Sequence, residues 1–344
     1  MTLPIKSPFP PMEARPVEEL PTGDEWQYEP KWDGFRCLAF RDGKKVTLQS
    51  KSGQSLGRYF PEVTESLLAL RASRFVLDGE LVIPIRGKTS FEQLQQRVHP
   101  TATRVNKLAS EFPAIYIVFD LLVDEDGTNL SKLPLSVRRS RLEQFKKSFF
   151  ARKTSIRLSP ATSKFLTAKK WGAGTTSGLD GVMAKRLDSP YRSGSRDGMQ
   201  KFKRRHSVDC VVGGFRYAEG TKVVGSLLLG LYDDQGLLHH IGFTSSFSAA
   251  EREQLLGILK PLIGGTSFTG KAPGGPSRWS TKRSSEWTSL RPKIVAEVEF
   301  DSFTGGRFRH GTNLLRFRPD KAAKQCKFDQ LGSARGTSLK LLKS

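Results

Sequence analysis

The sequence predicts an α+β chain of two domains: antiparallel sheets with helices over residues 1–204, then a small β-barrel over residues 205–344. Three observations carry this. The chain is 344 residues long, more than a single hydrophobic core usually supports. Before about Arg205, strand-like runs alternate with helical ones. Beyond it, strands separated by glycine turns succeed one another with a single helix among them, the inventory of a five-stranded OB-fold.

Taken in order, Leu3 to Pro21 is proline-rich and reads as an extended run over the surface of the first domain. From Trp26 the texture is strand-like. Arg36 to Arg41 and Lys45 to Ser50 flank Asp42-Gly43, a hairpin signal. Pro61 to Ser73 predicts a helix, with proline at its start and Leu67, Leu68 and Leu70 as its apolar face. Phe75 to Ile83 and Ile115 to Leu122 read as buried strands, Ser136 to Phe149 as a basic helix, and Gly181 to Arg186 as a short strand. The domain boundary falls near Lys203 to His206. The barrel strands are Asp209 to Tyr217, Gly225 to Asp233, Leu237 to Phe243 and Ile294 to Phe300, and its helix is Ser248 to Leu262. A basic Gly/Ser/Pro-rich stretch, Gly264 to Ser289 with Trp279 and Trp287, reads as a long, partly mobile loop, either solvated or touching nucleic acid.

Composition narrows the function classes. Hydrophobic residues make up 37%, enough for packed cores. The apolar runs Ala114 to Val123 and Val223 to Tyr232 are too short to cross a bilayer. Met1 to Pro11 lacks the apolar stretch of a secretory signal, so a cytoplasmic protein is expected. Cys37, Cys210 and Cys326 are far apart and form no Cys-x-x-Cys pair, which predicts buried thiols rather than disulfides or a zinc site. Lys and Arg number 56 against 34 Asp and Glu, a net charge of +22 and a sequence pI near 10.1. Such an excess calls for an anionic polymer. No long basic amphipathic helix is present, which favours nucleic acid over a membrane surface.

The chemistry centres on Lys31-Trp32-Asp33-Gly34, followed by Arg36. A lysine amine can attack a phosphoryl group and carry it covalently. Alone, the segment equally suits a turn at a strand end. Further along, the chain presents Glu29-Pro-Lys31-Trp-Asp33-Gly34-Phe-Arg36, Ser50-Lys51-Ser52-Gly53, Asp78-Gly79-Glu80, Phe119-Asp120, Asp180 to Lys185, Lys201-Phe202-Lys203 and Arg318-Pro-Asp320-Lys321. In order and spacing this series resembles the covalent nucleotidyltransferases, specifically ATP-dependent DNA ligases of the compact bacterial LigC type. The resemblance spans most of the chain. It implies an ATP-grasp-like adenylation domain, an OB-fold domain, ATP as AMP donor, and Mg²⁺ or Mn²⁺.

The resemblance also implies roles. Lys31 would be the nucleophile, within a catalytic group that includes Asp33, Lys201 and Lys203. Its amine must shed a proton, which burial and the charge of Lys201 and Lys203 would promote while they hold the α-phosphate. Glu80 takes a ribose-hydroxyl or metal-linked role. Asp180 stands where the family usually has Glu at a divalent cation, and one methylene less makes coordination through water an alternative to direct contact. Phe119 stacks on adenine, Glu29 contacts its amino group, and Arg36 meets the ribose or the nick phosphate. Lys51 replaces a frequent Arg and loses the bidentate fork. Arg318, Asp320 and Lys321 would clamp the pyrophosphate, which requires a hinge near Lys203 to Ser207.

The expected activity is sealing of 3′-hydroxyl/5′-phosphate nicks in duplex DNA during repair. Expected partners are nicked duplex DNA and an end-binding or polymerase repair protein, with the chain a monomer in the bacterial cytosol. An RNA ligase or an mRNA-capping guanylyltransferase shares the lysyl-nucleotide chemistry. A non-catalytic OB-type single-strand-binding protein would use the charge and the aromatics alone.

Overall fold

The computed structural model describes residues 2–150, 154–173, 179–274, 286–331 and 338–343. It divides into two units, Met1–Arg204 with Ala334–Ser344, and Arg205–Ser333. The end of the chain departs from the expected division: Ser338–Lys343 forms a 3₁₀ segment on the first unit rather than extending the barrel. The cause is apolar surface. Leu339, Leu341 and Leu342 cover Trp32, Val82 and Ile117, which water would otherwise reach.

The first unit is built on two sheets. In one, the strand order is Arg15–Val17, Met199–Lys203, Gly181–Arg186 and Trp26–Lys31, the first pair parallel and the others antiparallel. Side chains alternate across a strand, so Trp26, Tyr28, Val182 and Ala184 face Ala168 and Trp171 of the helix Phe165–Gly172. The opposite face then carries Gln27, Glu29 and Lys31, in register with Lys185, Met183 and Gly181, which pair in turn with Met199, Lys201 and Lys203. One face of this sheet is core, and the other collects the charged groups.

The second sheet runs in the order Lys45–Ser50, Phe35–Asp42, Arg74–Val82, Ile115–Val123 and Ile156–Leu158. Cys37, Leu77, Tyr116 and Val118 pack beneath the helices Pro61–Leu68 and Leu135–Phe149. Leu38, Phe40, Val76 and Leu122 face the other way and share a core with Met183 and Met199 of the first sheet. The proline-rich segment does more than skirt the surface, because its Leu3, Ile5 and Met12 are buried in that shared core. The predicted helix over Pro61 to Ser73 ends at Leu68, since the strand beginning at Arg74 needs the intervening residues to turn.

In the second unit, Leu238–Thr244, Val224–Tyr232, His206–Tyr217, Thr288–Phe300 and Asn313–Phe317 form one antiparallel sheet in that order. A parallel bridge between Thr244 and Thr312 joins its two edges, with Thr312 N donating to Phe243 O at 3.1 Å. This closes the five-stranded barrel. The helix Ala249–Leu259 starts at a capping box between Ser248 and Glu251 and buries Leu255 and Leu259. The long loop is shorter than its composition suggested, because strand pairing begins at Thr288. Trp287 packs with its ring 5.5 Å from that of Phe268, whereas Trp279 lies outside the described residues.

Candidate active site

Lys31 ends the strand Trp26–Lys31, and the next residues carry the chain from the first sheet to the second. Trp32 anchors the crossing by donating its indole N–H to Ser159 Oγ at 3.0 Å. Gly34 makes the crossing possible, because a Cβ there would lie 2.2 Å from the Leu81 carbonyl oxygen. The Asp-Gly step that suggested an ordinary turn is thus a close approach of the crossing segment to the strand Arg74–Val82.

Where the shared core gives way to polar side chains, a cavity of about 200 Å³ opens. The first sheet contributes Glu29, Lys31, Lys185 and Lys201 to its wall, and the second contributes Arg36, Glu80 and Phe119. Lys51 and the segment around Met12 and Glu13 complete it. Arg36 and Glu80 are paired across neighbouring strands. Asp180 flanks Lys31, accepting a hydrogen bond from its Nζ, and Lys203 Nζ stands 3.7 Å from the same carboxylate. Gly181 holds this corner at φ +141°, with the Phe202 carbonyl only 2.0 Å from where a Cβ would project.

The electrostatics correct one expectation. Burial by itself would lower the pKa of Lys31, but the charge and hydrogen bond of Asp180, with Glu80 and Asp33 behind, outweigh it and raise the value. Lys31 therefore rests as an ammonium, despite two nearby lysines. Lys201 bears the cost of that clustering: burial, then Lys31 and Lys203, lowers its pKa. Desolvation pushes the Glu80 carboxyl up to about 7, against the pull of Arg36 and Lys31.

Around the ring of Phe119 the contacts are specific. The Arg36 guanidinium lies 4.6 Å and Lys185 Nζ 4.4 Å from its centroid. Arg36 is fixed by a bidentate bond to Asp78, at 2.6 and 2.5 Å. Asp78 in turn accepts from Tyr191 Oη at 2.6 Å, and that hydroxyl accepts from Met12 N at 2.9 Å. Lys185 Nζ reaches Glu29 Oε2 at 2.9 Å, and Gln27 Nε2 donates to the other carboxylate oxygen at 2.9 Å. Lys51 is held more loosely, 2.9 Å from Glu13 and largely exposed.

Residues 11–203 match the ATP dependent DNA ligase domain, and residues 220–321 match the ATP dependent DNA ligase C terminal region. The chain belongs to the ATP-dependent DNA ligase family. It is 44% identical to DNA ligase C1 of Mycolicibacterium smegmatis and 39% identical to DNA ligase C of Mycobacterium tuberculosis, with 96% of each chain covered in both cases. A solved structure of a Lig E DNA ligase aligns with a TM-score of 0.55 at 17% identity, covering 90% of this chain and 99% of that one, a likeness of fold.

In this ligase the first unit gathers Glu29, Lys31, Arg36, Lys51, Glu80, Phe119 and Lys201 in one cavity wall. Asp33, Asp180 and Lys203 surround Lys31. Arg318, Asp320 and Lys321 belong to the second unit. There Arg318 pairs with Asp320 at 2.7 Å, and Lys321 Nζ with Asp209 at 2.6 Å. Sequence reasoning quoted Lys185 and Asp78 within the motif series without giving either a role, and passed over Tyr191 and Asp209. Lys185 had a legible signal, since strand alternation from Gly181 puts it on the face of Glu29 and Lys31. The other three act through partners distant in sequence, which no local pattern announces. No described helix is long and apolar enough to cross a membrane.

Proposed function

We propose that this DNA ligase seals 3′-hydroxyl/5′-phosphate nicks in duplex DNA through a lysyl-AMP formed on Lys31. The observation that carries the reading is that one amine both lines the cavity between the sheets and donates to a carboxylate, Asp180. In the first step Lys31 Nζ attacks the α-phosphorus of ATP, an N–P bond forms, and the bond to the β-phosphate breaks to release pyrophosphate. The proton that Lys31 must shed lies on its hydrogen bond to Asp180 Oδ2. Lys201 and Lys203 would hold the α-phosphate. In the second step the 5′-phosphate of the nick takes AMP from the lysine. In the third, the 3′-hydroxyl attacks that phosphate and AMP leaves.

Adenine would stack on Phe119, whose ring Arg36 and Lys185 orient. Glu29 has already accepted two hydrogen bonds, yet two carboxylate oxygens offer about four acceptor sites, so the adenine amino group can still be received. Arg36 would meet the ribose or the nick phosphate and Lys51 a phosphate, while Arg318, Asp320 and Lys321 would engage the leaving pyrophosphate. Asp180 and Glu80 are hard oxygen donors that fit Mg²⁺ or Mn²⁺, with water and phosphate completing the shell, because no group of three or more ligand residues occurs among the described residues. Bound there, the ion neutralises phosphate charge. The net charge of +22 suits contacts to the DNA backbone rather than readout of its sequence. We assign the reaction to repair in the bacterial cytosol, by a monomer recruited through an end-binding or polymerase protein.

With α-labelled ATP, wild-type protein is expected to take up label and Lys31→Ala none, while the variant still binds nicked duplex within a few-fold of wild type. Undiminished labelling of the variant would refute Lys31 as the nucleophile. Matched nicked DNA and RNA substrates test the choice of polymer.

A further inference from the structure

Asp209 lies on the barrel strand His206–Tyr217 and is 8% exposed. A buried carboxylate with no cation beside it would be costly. Here it meets two. Arg318 Nη1 reaches its oxygens at 3.2 and 3.4 Å, and Lys321 Nζ donates to Oδ2 at 2.6 Å. The backbone of the same residue is tied down as well: Asp209 N donates to Gln330 Oε1 at 3.3 Å, and Gln330 Nε2 returns a bond to Asp209 O at 3.2 Å. Arg318 is steadied further by its own N–H to Val295 O at 2.9 Å and by Glu297, the cross-strand partner of Asp209, at 3.8 Å. Asp320, between the two cations in sequence, binds only Arg318 of the pair. Among the described residues, Asp209 is the carboxylate that touches both.

We propose that Asp209 is the positioning residue of the pyrophosphate clamp, holding Arg318 and Lys321 side by side so that both meet the leaving group together. This rests on the assignment of Arg318 and Lys321 to the pyrophosphate. Two long cationic side chains each lose rotamer freedom when they grip a ligand, and one buried carboxylate that orders both beforehand reduces that loss. The second and third steps release no pyrophosphate, so Asp209 matters to the first step and to its reversal.

The test separates the steps. Full-length wild type, Asp209→Asn, Asp209→Glu, Arg318→Ala and Lys321→Ala are compared in three assays: lysine adenylylation, ATP formation from isolated adenylylated protein against pyrophosphate concentration, and sealing of a pre-adenylylated nick. Asp209→Asn is expected to slow adenylylation at least ten-fold and to raise the half-saturating pyrophosphate concentration by a similar factor. Its sealing of the pre-adenylylated nick should stay within about three-fold of wild type, and Asp209→Glu should recover part of the first-step loss. Equal losses in both steps, or no change in pyrophosphate dependence, overturn the proposal. If Asp209→Asn loses the barrel's unfolding transition, Asp209→Glu must itself show the first-step-specific loss. Should Arg318→Ala and Lys321→Ala leave the pyrophosphate assay unchanged, the clamp reading fails. Should they impair it while Asp209→Asn does not, that reading stands and the role of Asp209 falls.

Discussion

Replacing Lys185 with Met keeps most of the side-chain volume and removes one charge from a buried pair. Lys185 is 7% and Glu29 1% exposed, so solvent screens their 2.9 Å contact little. After Lys185→Met, Glu29 keeps only the neutral amide of Gln27, 2.9 Å away. Leaving one partner of a buried pair behind costs about 3–5 kcal/mol. Loss of the ammonium from the Phe119 face, 4.4 Å from its centroid, adds a contribution of about 0.5–1 kcal/mol. The surviving amide bond offsets part of this, and we take about 3 kcal/mol as the expected cost. For a unit of this size that corresponds to a fall in melting temperature of roughly 6–12 °C. The double variant Lys185→Met/Glu29→Gln removes the orphaned charge and should recover to within about 1.5 kcal/mol of wild type. Urea unfolding followed by tryptophan fluorescence reads this, because Trp26, Trp32 and Trp171 all sit in the first unit. The ATP concentration for half-maximal adenylylation should also rise about ten-fold in the single variant, as Glu29 and Phe119 lose their common support. A single variant costing under about 1 kcal/mol, or a double variant no more stable than the single, would refute the reasoning.

Two more outcomes are expected from the packing and the titration. Leu341 joins two apolar clusters of the first unit, one of them built around Trp32 next to Lys31, so Leu341→Ser should lower the stability of that unit by about 1–2 kcal/mol; an unchanged melting temperature would mean the segment Ser338–Lys343 is merely laid on the surface. In the barrel, burial and the charges of Arg307 and Arg216 bring the pKa of His240 down to about 4 from 6.5, against the pull of the Gly242 backbone. The folded barrel therefore keeps His240 neutral while the unfolded chain takes up a proton as pH falls below 6.5. Its contribution to stability is complete above 6.5 and is lost progressively down to about 4, a change of about 3 kcal/mol at ~1.4 kcal/mol per pH unit. His240→Leu should remove this acid sensitivity, and parallel losses in both proteins between about pH 6.5 and 4.5 would contradict the assignment.

How much of this was legible in the sequence depended on the distance over which each signal acts. The hairpin Phe35–Asp42 and Lys45–Ser50 could be read because its turn and its alternation are local. The helix Ala102–Glu111 went unread although Val105, Leu108 and Ala109 give it an apolar stripe, because it is short and otherwise polar. Strand Asn313–Phe317 was hidden because little of it is buried, its Leu315 being half exposed at the barrel edge. In the site, Lys31 and its companions stood out as residue types at the ends of strands. What surrounds them did not, because a bond such as Tyr191 to Asp78 joins residues 113 apart in the chain. The protonation of Lys31 shows the physical limit of reading charge along a sequence. Lys201 and Lys203 announce a cationic neighbourhood, which argues for a lowered pKa. The register that pairs Gly181 with Lys31 also delivers Asp180 to hydrogen-bonding distance, and a contact carboxylate outweighs cations farther off because Coulomb energy falls with separation while burial keeps the effective dielectric low. Proposing Lys31 as the nucleophile rested on the ordered motif series, whereas its resting charge depends on the one neighbour that strand pairing supplies. In the mechanism we propose, the ammonium is the state that ATP meets, and attack by Lys31 requires its proton to leave along the hydrogen bond to Asp180.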